Sequence, residues 1–237
     1  MATYIKAYQG TTPLFQSDAS TWTRPTDWLT LPSAASGTVK GLHAVFNNTT
    51  NFATVRASTL SGANYTIDWG DGVVESAASN AIINHNYDWN NVSAATITSG
   101  GYRQAIVTIT PPVGSSFTQV FLAEKYTATS GLQSYSTGWL DMNINLPNLL
   151  TGQRLFIGGA PVRHAFLERV NIASWGNITS AASMFYNCTA LREINSAQWI
   201  TTAITSFDSM FFSCQSLQIM DGSTWNTAAV TGMGNMF

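Results

Sequence analysis

Charge is what this chain has least of. Only 9% of its 237 residues are Asp, Glu, Lys or Arg, against about a quarter in an average soluble protein. With a formal net charge of -2, it offers no basic field to a nucleic-acid backbone or an anionic membrane surface, and neither partner is expected. Cysteine is almost missing: Cys188 and Cys214 are the two in the chain, too few for a disulfide framework or a thiolate zinc site. His43, His85 and His164 lie far apart and share no metal-ligand spacing, so neither a metal nor a cofactor is expected. No run approaches the roughly 20 apolar residues of a membrane span, which argues against membrane insertion. The Met1-Ala2-Thr3-Tyr4-Ile5-Lys6 start has no apolar core of a secretory signal, so Sec export is not expected. Nucleophile elbow, His-Glu-x-x-His helix and glycine phosphate loop are all missing, so no residue is assigned a catalytic role.

Apolar residues are plentiful, at 45%, so a sizeable core is assured. Ser, Thr and Asn supply about 30% of the chain and furnish the polar surface that charge does not. Such short side chains lose little rotamer entropy when ordered and suit strands, turns and close lateral packing.

Residues 1–40 read as an irregular arm, punctuated by Pro13, Pro25 and Pro32. Phe15, Trp22 and Trp28 are a large aromatic payload for such a piece. The arm either lies on the following domain or docks elsewhere. From 41 to 112 the pattern alternates with period two. Tyr65, Ile67 and Trp69 share one face while Thr66 and Asp68 take the other, and a second alternating run, Arg103 to Thr110, stops at Pro111-Pro112. With Ala44-Val45-Phe46, Phe52-Ala53-Thr54-Val55 and Ile82-Ile83 this gives five or more short strands, the spacing of a small antiparallel sandwich. Residues 113–166 form a transition segment with no assigned structure; it contains Leu155-Phe156-Ile157-Gly158-Gly159.

Within 41–112, Asp68-Trp69-Gly70-Asp71-Gly72, then His85-Asn86-Tyr87, then Gly101-Tyr102 leading into Arg103 to Ile109 resemble the PKD family of immunoglobulin-like domains in motif and order. The resemblance implies a sandwich in which the Asp-Gly turn is structural and Tyr87 buries its ring between sheets. Asp68 and Asp71 would accept backbone N–H bonds around the turn. The alternatives are calcium held by Asp68, Asp71 and Glu75, or an acid–base pair. Calcium wants six to eight oxygens, more than this neighbourhood offers.

The carboxyl-terminal part, 167–237, is internally periodic. Leu191 and Ile194 return as Leu217 and Met220, Trp199 as Trp225, Ile204 as Val230, and Met210-Phe211 as Met236-Phe237, each 26 positions later. One unit earlier, Leu167, Val170, Trp175, Ile178, Met184, Phe185 and Cys188 fit the same template with two residues fewer, and Cys214 repeats the Cys188 slot. A period in the twenties with Leu-x-x-Ile/Val starts predicts a short leucine-rich-repeat solenoid, with these positions facing inward as apolar ladders. The run Met210-Phe211-Phe212-Ser213-Cys214-Gln215-Ser216-Leu217 resembles BspA-type repeats of surface proteins and some phage fibres. The Met and aromatic stripe reads as core, and the chain stops at Phe237 in mid-unit.

The fold class expected is therefore mainly β: an immunoglobulin-like antiparallel β-sandwich followed by a short leucine-rich-repeat solenoid. The runs 65–72 and 101–111 also resemble tail-fibre and related structural proteins of marine and cyanobacterial phages. That resemblance implies a non-enzymatic virion protein, tail fibre or capsid decoration, assembled in the host cytoplasm and released by lysis. Its partners would be other virion proteins through the arm, a host-surface glycan or protein, and copies of itself, a trimer if it is a fibre. A bacterial surface adhesin and the carbohydrate-binding part of a glycan-degrading enzyme stand as alternatives.

Overall fold

The computed structural model describes residues 8–9, 12–13, 22–47, 51–124, 138–159 and 163–237. Phe15 and much of the predicted arm lie outside them. The fold is mainly β, in two principal sheets; among the described residues there are only two single-turn 3-10 helices, Trp89–Asn91 and Ala94–Thr96. A separate two-residue hairpin pairs β1 (Tyr8–Gln9) with β2 (Thr12–Pro13).

The alternating runs become strands because one face of each can be buried. In β5 (Tyr65–Asp68), Tyr65 and Ile67 are buried and Thr66 and Asp68 exposed. Beside it lies β8 (Arg103–Thr110), which buries Ala105, Val107 and Ile109 on the same side. β3 (Val39–Val45) and β6 (Val74–Ala77) flank this pair, giving the order β3-β8-β5-β6 with every pairing antiparallel. Opposite stands a four-stranded sheet of β4 (Asn51–Thr59), β7 (Ile82–Tyr87), β9 (Phe117–Phe121) and β11 (Arg154–Phe156), in the order β11-β9-β4-β7. Val55, Ala57 and Val120 of the smaller sheet and Tyr65, Ile67 and Val107 of the larger one belong to one buried cluster, with Trp69 and Leu122 just past the ends of β5 and β9.

The described parts of the transition segment contribute strands. Its β10 (Trp139–Asn145) pairs antiparallel with β3 and, on its other edge, parallel with β12 (Arg169–Ser174). β12 pairs parallel with β13 (Glu193–Asn195), and β13 with β14 (Ile219–Met220). The larger sheet therefore has eight strands and runs unbroken from the antiparallel part into the periodic part. Met142 aligns with Val170, Val170 with Ile194 and Ile194 with Met220, so β10 begins the parallel series.

Equivalent side chains stack between successive units. Trp175 lies 4.4 Å from Trp199, Trp199 5.5 Å from Trp225, Phe185 5.4 Å from Phe211 and Phe211 5.5 Å from Phe237. On the sheet's outer side Asn195 Nδ2 donates to Asn171 Oδ1 at 3.1 Å and Asn171 Nδ2 to Asn143 Oδ1 at 3.2 Å. Each unit turns through left-handed residues at matching places: Ser183, Ser209 and Asn235 at φ 57°, 53° and 51°. Ser and Asn tolerate that region because a short polar side chain bonds locally.

Residues 22–36 lie on the outer face of the larger sheet. Trp28 and Leu31 pack with Leu42, Ala44 and Leu140. Polar clamps fix the segment: Gln104 Oε1 accepts from Leu29 N at 2.9 Å while its Nε2 donates to the Asp27 carbonyl at 2.9 Å. Arg24 Nε donates to Asp141 at 2.8 Å, Trp22 Nε1 to Glu168 at 2.7 Å, and Asn143 Nδ2 to the Pro32 carbonyl at 2.9 Å.

Candidate binding cleft

The structure draws the residues of the predicted turn motif into one network. Asp68 Oδ1 accepts from Gly70 N at 3.0 Å and Asp71 Oδ1 from Val73 N at 3.1 Å. Asp71 Oδ2 holds His85 Nε2 at 2.8 Å, and the His85 ring stacks on Trp69 at 4.6 Å. Trp69 Nε1 donates to Glu75 at 2.6 Å, and Tyr87 Oη to the Trp69 carbonyl at 3.1 Å. Gly70 sits at φ 78°, and a Cβ there would lie 2.5 Å from the Ile106 carbonyl oxygen, so both turn and close approach demand glycine. Gly72 also has positive φ, at 94°. The three carboxylates thus face backbone donors of the turn and the ring nitrogens of Trp69 and His85.

Among the repeat positions, Leu167, Val170, Trp175, Ile178, Met184, Phe185, Cys188, Leu191, Ile194, Trp199, Ile204, Met210, Phe211, Leu217 and Met236 are buried. Cys214, Trp225 and Val230 are half-buried. Phe237 departs from the inward reading: one face of its ring rests on Phe211, yet the residue is 56% exposed. Both cysteines are free thiols. Burial pushes the Cys188 thiol well above its ordinary range and that of Cys214 up to about 12, which leaves both unreactive at neutral pH. His43 and His164 are wholly buried, and desolvation lowers them to about 3 and about 4, so both are neutral fixtures of the core.

A cleft of about 330 Å³ opens where the smaller sheet meets the first repeat unit, lined by Arg56, Phe121, Glu124, Phe156, Gly159 and Tyr186 among others. Its size falls at the lower end of the range of about 300–1,000 Å³ typical of small-molecule sites. β9 and β11 pair so that Phe121 and Phe156 stand side by side, ring centroids 4.8 Å apart and nearly parallel. β4 brings Arg56 over Phe121, its guanidinium 4.0 Å from the ring centre, where it also donates through Nε to Glu124 Oε1 at 2.5 Å and through Nη1 to Asn80 at 3.3 Å. Glu124 Oε2 has no protein partner among the described residues.

Two glycines flank the cleft. Phe185 N donates to the Met210 carbonyl and Phe211 N to that of Met236; Ile157 N and Gly158 N both donate to the Met184 carbonyl, at 2.9 and 2.8 Å, so Ile157 to Gly159 run alongside Met184 to Tyr186. Gly158 lies against backbone, since an added Cβ would overlap the Tyr186 carbonyl oxygen. Tyr186 stacks on Phe212 at 5.0 Å and also lines the cleft, where Gly159 presents no ring. Sequence reasoning assigned none of these cleft residues. The available signal was the Gly158-Gly159 pair, a close approach of backbone that side-chain periodicity does not register.

Residues 162–237 match the protein family described as Mycoplasma protein of unknown function, DUF285. No curated protein and no solved structure matches the chain.

Proposed function

We propose that this chain is a non-enzymatic structural protein of a phage virion, a tail fibre or capsid-surface protein, that presents a binding surface to the host envelope. In this reading the two facing sheets are an immunoglobulin-like sandwich of PKD type, and the parallel series from β10 onward is a short leucine-rich-repeat solenoid of BspA type. The observation that carries it is the unbroken eight-stranded sheet, because a scaffold with one continuous ladder holds a surface rigid under load. The chain's scarce ionisable groups support the same reading, being spent on structure: Asp141 on Arg24 and Arg169, Asp71 on His85, Glu168 on Trp22 and Arg192. Attachment would be additive, each copy contributing weak hydrogen-bond and stacking contacts multiplied by the valency of a homo-oligomer. The amino-terminal arm would join it to other virion proteins.

Mass spectrometry of purified particles, with density location of the chain on them, tests this reading. The expected result is stoichiometric recovery with virion proteins; recovery only from the envelope of uninfected bacteria would overturn it. The match of 162–237 to a family described from Mycoplasma favours that second reading, a bacterial cell-surface adhesin. Release of reducing sugar from host envelope by the purified chain would instead make it part of a glycan-degrading enzyme.

A further inference from the structure

We infer that the cleft at Phe156 and Tyr186 is a saccharide site that takes one neutral pyranose ring. The inference rests on the envelope-binding reading and names the ligand class and the residues. Two features of the cleft point to this chemistry together.

The first is aromatic surface in the lining of the cleft, the rings of Phe156 and Tyr186. An aromatic face carries negative quadrupole density, which suits the weakly positive C–H face of a pyranose. Phe212 occupies one face of Tyr186, and the cleft lies beside that ring, where Gly159 adds no side chain. Phe156 supplies further ring surface, held by its stack on Phe121 and with the Arg154 guanidinium 5.7 Å from its centre. A sugar in the cleft would lie against these rings.

The second is the polar rim. Arg56 and Glu124 are side by side, 26% and 18% exposed. Their charges cancel, so the rim does not select an anion such as phosphate, or a cation. What the pair offers is a row of guanidinium donors beside a carboxylate oxygen that accepts from no other described residue, and vicinal hydroxyls need such a row because each one both donates and accepts. The pair also keeps its geometry when unliganded, through Asn80 and the Phe121 ring, so little ordering is required on binding.

The test uses the full chain and titrates the methyl pyranosides of glucose, galactose, mannose, rhamnose and N-acetylglucosamine, with inorganic phosphate as the charged control, by amide chemical-shift mapping. At least one pyranoside is expected to bind with a dissociation constant of about 1–10 mM, as befits a ligand of that size. Shifts should centre on Gly159, Tyr186 and Glu124. Gly159→Phe puts a ring into the lining of the cleft and should abolish the shifts. A Cβ at Gly159 would lie 3.3 Å from the Ala123 Cβ, a tight fit, so Glu124→Gln provides a second variant that keeps the shape and should weaken binding at least tenfold. Shifts that persist unchanged in Glu124→Gln and folded Gly159→Phe overturn the inference, as does the lack of any pyranoside response or a preference for phosphate. Attachment of the full chain to host envelope is measured in parallel. If Gly159→Phe and Glu124→Gln attach as well as the wild type, the cleft assignment falls and the envelope-binding reading stands. If the cleft takes a pyranoside but the chain neither attaches nor occurs in particles, the reverse holds.

Discussion

Asp141 is the residue on which most of the outer face converges. Its carboxylate is fully buried, with Arg24 Nε on one oxygen at 2.8 Å and Arg169 Nε on the other at 2.9 Å. Removing one partner of a buried ion pair leaves charge uncompensated and typically costs 3–5 kcal/mol. Both guanidiniums keep a solvent edge, so Asp141→Asn is expected to cost about 3 kcal/mol, at the low end of that range. Urea denaturation measures this, and a loss under about 1 kcal/mol would mean that solvent already screens the pair.

Histidine makes a second prediction at this scale. His43 and His164 have pKa values of about 3 and about 4 in the fold, below the ordinary value near 6.5 of the unfolded chain. The unfolded state therefore binds more protons as pH falls below about 6.5, and stability drops toward acid. Each histidine should contribute a slope of up to about 1.4 kcal/mol per pH unit between pH 6 and 5. Denaturation midpoints at pH 7, 6 and 5 test this; His164→Gln should flatten the slope, and an unchanged slope would show that His164 is protonated without loss.

Single elements are held by stacking between units rather than by their own length. β13 and β14 have three and two residues, too short to persist alone. Their support is the column of Trp175, Trp199 and Trp225 and the column of Phe185, Phe211 and Phe237. Trp199 is 4% exposed and lies between two tryptophans, whereas Trp225 is only half-buried. Trp199→Ala is expected to destabilise by about 4 kcal/mol and Trp225→Ala by about half as much. Equal effects in thermal or urea unfolding would show that burial within the column does not set the cost.

For the whole molecule, β10 decides the mechanics. It is hydrogen-bonded to β3 on one edge and to β12 on the other, while Asp141 at its centre fixes both residue 24 and residue 169. Repeat arrays can open unit by unit, but here the first unit is a strand of the larger sheet. Hydrogen exchange should therefore find the slowest amides of β8 and β12 opening with the same free energy, and Asp141→Asn should lower both together. Independent exchange in β12 would mean that the periodic part unfolds by itself.

The sequence by itself determined what is local or repeated. The turn from Asp68 to Gly72 is legible because its carboxylate bonds span two residues. The burial of Leu191, Ile194, Trp199 and Met210 is legible because the same side chains return at a fixed interval and must meet the same surroundings. Tertiary structure alone decided that β10 joins the two parts, that residues 22–36 strap the outer face, and that Arg56, Phe121, Glu124, Phe156 and Tyr186 meet in a cleft. The physical reason is that sheet edges pair through backbone groups every residue possesses, so the choice of neighbour across a hundred positions leaves no mark on side-chain identity.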